Sequence, residues 1–190
     1  MDTSTQTFCA MIRNRSDENR RAMCYFSIPP GVLSPAFSIL RQELDSMIRV
    51  IYLLQITDLN ERQRLIKSTL NGEKWKVLTP NGKFSVVTDR DMVEVSQRLQ
   101  GWTQSVYRFG CAFVHLSDFH NHFVQNPFQS LPETERQDVL KHMRNYHGGP
   151  LSDNPDMEEL SMYLPRVFDK IADNLKHYID QLERGETETT

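Results

Sequence analysis

The chain has 190 residues, 38% of them apolar and 25% charged, with a formal net charge of -3. That balance fits a globular protein large enough to bury a core, and it excludes a global basic field that would draw in a polyanion. No apolar run reaches membrane-spanning length and no apolar leader opens the chain, so the sequence reads as cytoplasmic with no membrane partner.

Residues 5 to 27 carry Phe8, Ile12, Ala22, Met23 and Phe26 at helical spacing. The arginine-rich run between Arg13 and Arg21 reads as a solvated face. Ile28-Pro29-Pro30-Gly31 then breaks the helix. Ser34-Pro35 predicts a new helix start, with the serine as cap and the proline in the first turn. From there Phe37, Leu40, Leu44, Met47, Ile51 and Leu54 form the stripe of a central helix. A shorter amphipathic piece, about 60 to 70, ends at Asn71-Gly72.

Two β-rich runs, WKVLT and FSVVT, flank Pro80-Asn81-Gly82-Lys83 and predict a hairpin inserted at about 75–88. Thr88-Asp89-Arg90-Asp91 can cap a following helix, expected to run unbroken to about Gln125. Its apolar seam is Val95, Leu99, Trp102, Val106, Phe109, Phe113, Leu116, His120 and Phe123, a heptad-like pattern that Gly101 and Gly110 weaken. Asn126-Pro127 ends it. A helix near 132 to 146 stops at Gly148-Gly149-Pro150, and Asn154-Pro155-Asp156 opens a last long helix that Pro165 should kink. The tail from about 185 to 190 is polar. The expected fold is all-α, an up-and-down bundle of four to six helices with a small β-hairpin insertion, read as one domain over 1–190.

On an unbroken helix, seven residues advance by 700°, so Arg108, His115 and His122 return to within about 20° of one line. That line lies off the seam. With its neighbour it holds Gly101, Ser105, Arg108, Ala112, His115, Phe119 and His122, where small residues allow another backbone to approach. The face is therefore expected to meet a second partner, such as the same helix of another copy across a two-fold axis. A shared metal is disfavoured, because His115 and His122 would stand about 10.5 Å apart along the axis. Cys9, Cys24 and Cys111 are odd in number and lack metal-type spacing.

The run Arg108-Phe-Gly-Cys-Ala-Phe-Val-His115, an arginine with six residues before a histidine on a long helix of a bundle, resembles the HEPN superfamily. The resemblance implies a homodimer that brings two motif copies to one cleft, RNA as the partner, and no cofactor. It implies metal-independent endoribonuclease activity of the toxin or antiviral type, with a neutralising protein as a further partner. The alternative within the family is a non-catalytic module that dimerises or binds RNA or protein. Active members commonly carry a polar residue after the arginine, where this chain has Phe109. The chemistry suits the residue types. Histidine exchanges protons near neutrality, and arginine stays charged and binds phosphate oxygens in a fork. The candidate catalytic residues are Arg108 and His115, with Asp118 one turn on to orient the imidazole. A second pair, Arg136 and His142, has five residues between and is read as coincidence.

Overall fold

The structure is a computed structural model, and it describes residues 2–26, 32–79, 81–97 and 101–187. It is mostly helical, a bundle with one small antiparallel hairpin. Helices α1 (Thr3–Phe26), α2 (Leu33–Leu54) and α3 (Leu59–Leu70) come first. The expected breaker at 28–31 lies outside the described residues. Strands β1 (Lys76–Leu78) and β2 (Phe84–Val86) pair antiparallel, with Leu78 opposite Phe84 and Lys76 opposite Val86. Then come α4 (Asp89–Gln97), α5 (Thr103–Val114), α6 (Glu133–His147), α7 (Met157–Ser161) and α8 (Leu164–Glu183).

Helix α2 is the hub, packed against α1, α4, α5 and α8. Its stripe is fully buried: Leu44, Met47, Ile48, Ile51, Leu53 and Leu54 are shut off from solvent. Two charged side chains in the same helix, Arg41 and Glu43, are buried as well. Glu43 accepts a hydrogen bond from Ser16 and one of 2.9 Å from Asn19, which ties α1 to α2 and compensates the buried carboxylate.

Local signals place most ends. Thr88 and Asp91 exchange cap hydrogen bonds at the start of α4, as the sequence predicts. Gly72 and Gly148 close α3 and α6 with φ of 71° and 78°, a left-handed conformation that glycine adopts without strain. Ser34 differs from expectation. Val32 occupies the N-cap position and Ser34 lies inside the first turn of α2, so no side chain caps that end.

Two expected long helices are broken. The last one divides into α7 and α8, and Pro165 stands in the first turn of α8, where a missing N–H leaves no hydrogen bond unmade. The other, expected from about 88 to 125, divides into α4 and α5 and stops at Val114. Residues 98–100, and Leu99 of the seam with them, lie outside the described residues. Beyond Val114 the backbone of His115 is extended, Ser117 caps a short 3-10 turn (Asp118–Asn121), and a second one follows (Pro127–Ser130).

An aromatic cluster explains that stop. Phe37 and Phe113 stack with centroids 4.3 Å apart, and Phe119 meets Phe109 and Phe113 edge-on at 5.5 and 5.6 Å. Reaching those rings requires the chain to turn back after Val114. Ser117 holds the turn: its hydroxyl donates to the Ala112 carbonyl (2.7 Å) and accepts from the Phe119 N–H (3.2 Å).

Candidate functional site

The turn after α5 places His115 at the edge of a polar cavity of about 500 Å³. Arg15 of α1, Arg41, Asp45 and Arg49 of α2, Asp89 at the start of α4, and Tyr107 and Cys111 of α5 line it with His115. Arg41, Asp45 and Arg49 are four residues apart on α2, so they share one helix face. Asp89 receives hydrogen bonds from Arg41 (3.0 Å) and Arg49 (3.2 Å), and Asp45 receives one from Arg49 (3.1 Å). Arg15 stands 3.4 Å from Asp45. Three arginines against two carboxylates leave the cavity with positive charge in excess.

Arg41 is the buried member, 8% exposed, with its guanidinium stacked 4.2 Å from the Tyr107 ring centre. Burial opposes its charge, yet Cys111, Asp45 and Asp89 outweigh burial and hold its pKa above the ordinary value. Its Nε–H is buried without a hydrogen-bond partner, an orphaned donor on a residue that lines a polar cavity. Burial, with Cys111 beside it, also pushes the Tyr107 hydroxyl up, so that group stays protonated at neutral pH. The cavity offers what a phosphate group needs: a cluster of cations and an imidazole at the rim.

The residues singled out from sequence are distributed differently from the single line expected. Arg108 is exposed on α5 and donates to Glu135 of α6 at 3.2 Å. Ser105 donates to Asp138 of the same helix at 3.2 Å. Within this chain, then, α6 already engages the face expected to meet a second copy. His115 lies one residue past the end of α5, so the 700° argument that aligned it with Arg108 and His122 does not hold. Asp118 is exposed at the start of the 3-10 turn, and among the described residues no hydrogen bond joins it to His115.

Of the expected interface residues, Gly101 is exposed in a turn and Ala112 is half-buried. Phe119 is 7% exposed and belongs to the aromatic core, because the reversal at Ser117 folds it inward. His122 packs on Phe123 at 4.0 Å, and burial together with nearby His120 lowers its pKa. His120 is not a seam residue of a continuous helix; its Nδ1 accepts from the Ser117 N–H at 3.3 Å and completes the cap. Arg136 and His142 are occupied with Glu133 and Asp138 of their own helix.

No family model, curated protein or solved structure matches this chain. Its site therefore rests on its own geometry.

The cleft is not evident in the sequence. Arg15 falls in a run that reads as solvated, and the apolar stripe of α2 hides Arg41, Asp45 and Arg49. A signal was present: charges at i, i+4 and i+8 in the most apolar helix of the chain mark a polar line that needs partners. Among the described residues no three of His, Cys, Asp and Glu gather as a metal-binding group, and no helix is long and apolar enough to cross a membrane.

Proposed function

We propose that the protein is a metal-independent endoribonuclease whose chemistry centres on the cleft around His115, in keeping with the HEPN resemblance of its sequence. One observation carries this reading: His115 lines the same cavity as Arg15, Arg41 and Arg49. In such a reaction a base removes the 2′-OH proton and the 2′-oxygen attacks phosphorus. The P–O5′ bond breaks as an acid protonates the leaving oxygen, which yields a 2′,3′-cyclic phosphate. His115 fills one proton role, and the cleft arginines carry the charge that builds on the phosphorane oxygens. A second proton-transfer group completes the cycle. A second copy of the chain, docked so that its own His115 reaches the cleft, would supply it, which makes the homodimer part of the proposal. Use as a toxin or antiviral effector, with a neutralising protein, goes with the same reading.

The runner-up is a non-catalytic module that binds RNA or protein through the same cleft. It is favoured by the pairing of Arg108 with Glu135 and by burial of Phe109, which stands in the core where active members carry a polar group. The deciding experiment is cleavage of unstructured RNA by purified protein in excess chelator, wild type against His115→Ala. The ribonuclease reading expects cyclic-phosphate ends from the wild type and their loss in the variant. Cleavage that is absent, or equal in both, leaves the binding module.

A further inference from the structure

The hairpin exposes a face that the core does not use. Cross-strand partners in an antiparallel pair point to the same side, so Lys76, Leu78, Phe84 and Val86 share one face. Leu78 and Phe84 are 62% and 65% exposed, and Val86 is 44% exposed. Val77 points the other way and packs against the core. Large apolar side chains on a solvent face are a cost that a free-standing ribbon has no structural reason to bear.

The surrounding charge is positive. Lys74, Lys76 and Lys83 are exposed, and among the described residues none of them is in an ion pair. Arg64 lies over one face of the Phe84 ring at 5.8 Å and is held there by two hydrogen bonds from its guanidinium to Glu61, at 2.7 and 2.6 Å. Glu73, next to Lys74, is exposed in the segment before β1.

The base of the hairpin adjoins the cleft. Trp75, just before β1, packs under the Arg49 guanidinium at 5.4 Å, and Asp89, just after β2, bonds both Arg41 and Arg49. Leu78 lies about 10 Å along the strand from Trp75. The exposed face therefore begins beside the cleft, with Lys76 and the Phe84 ring on the outer side of the ribbon whose inner side holds Trp75 against Arg49.

We propose that this hairpin face is a landing platform for single-stranded RNA entering the cleft, with a base stacked on Phe84 and phosphates carried by Lys76 and Lys83. The inference rests on the RNA reading of the cleft and names how that substrate is held. Only an unpaired strand has bases free to stack on an aromatic side chain, so the platform selects against duplex.

The test is binding of a fluorescently labelled 12-nucleotide oligouridylate to the full chain by anisotropy in chelator, using His115→Ala protein so that the RNA stays intact. Phe84→Ala should weaken binding about fivefold or more, while Phe84→Trp should retain it. Replacing both lysines, Lys76→Gln with Lys83→Gln, should flatten the log–log salt dependence by about 1.4. A duplex of equal length should bind more weakly than the single strand. Unchanged affinity in Phe84→Ala, loss of binding in Phe84→Trp, an unchanged salt slope, or duplex bound as tightly would each overturn the platform. So would binding to anionic lipid vesicles with none to RNA. The function and the platform fail separately: wild-type protein that binds RNA through Phe84 but does not cleave it sinks the ribonuclease reading alone.

Discussion

A Cβ atom added at Gly110 would stand 2.6 Å from the Cβ of Arg41 and 2.9 Å from its Cδ. Helix α5 lies directly on the stem of the buried arginine at this point, and the absence of a side chain at 110 is what lets it. The sequence shows Gly110 only as a residue that weakens a helix. In the structure it sets the spacing between α2 and α5.

Gly110→Ala should therefore destabilise the fold, although alanine is the better helix former by about 1 kcal/mol. The clash is with a Cβ rather than a flexible tip, so the overpacking cost of about 1–3 kcal/mol should win. Urea unfolding should show a lower midpoint with an unchanged slope. A midpoint equal to or above wild type would mean that α5 can slide off Arg41 freely.

Arg41→Met tests the cleft itself. Methionine keeps much of the stem packing but leaves Asp45 and Asp89 with Arg49 and Arg15 alone, at a stability cost on the order of 1–2 kcal/mol. RNA affinity should fall about tenfold or more, because a buried charge-assisted donor is lost. Arg41→Lys should rescue little, since an ammonium lacks the planar fork that reaches two groups while stacking on Tyr107. Full affinity in Arg41→Met would remove the cleft from the RNA path.

Ser117→Ala removes the hydroxyl that both caps the 3-10 turn and reaches back to Ala112. Stability should drop by about 1 kcal/mol, and Ser117→Asn, another capping residue, should recover most of it. His115 sits two residues earlier, so cleavage should follow the same order if its position depends on the turn. Equal rates in wild type and Ser117→Ala would show that it does not.

His147 sets an acid limit on stability. Burial, then the charges of Lys170 and Arg166, hold its pKa below the ordinary 6.5. The folded chain thus binds fewer protons here than the unfolded one. Its contribution is fully present above pH 6.5 and is lost as pH falls through that value towards the depressed folded pKa. Melting temperature measured from pH 7.5 down to 5.5 should fall less steeply in His147→Gln than in wild type. Parallel curves would place the acid sensitivity elsewhere, with His122 the next candidate.

Much of the fold was legible because its signals are local. The α2 stripe, the Thr88–Asp91 cap, the Asn-Gly turn and the terminal glycines each act within a few residues, and periodicity needs no knowledge of the rest of the chain. The end of α5 was not legible in the same way. Residues 107 to 122 keep a helical apolar pattern throughout, and Ser117-Asp118 is a weak cap signal inside it. What decides the matter is Phe119, which gains more by folding back onto Phe109 and Phe113 than by continuing a helix.

By itself, then, the sequence determined the helical character of most segments, which one is the hairpin, and that Arg108 and His115 were worth following. Only the tertiary structure decided what His115 stands beside. The other residues that line its cleft come from α1, α2, α4 and α5, and residues as far apart as Arg15 and His115 line one cavity because the helices pack. Packing directs Arg108 to Glu135 on α6, and it sets His115 at the cavity that Arg15, Arg41 and Arg49 line instead. Spacing along a chain reports angles around one helix axis, and it carries no record of which other axes lie beside it.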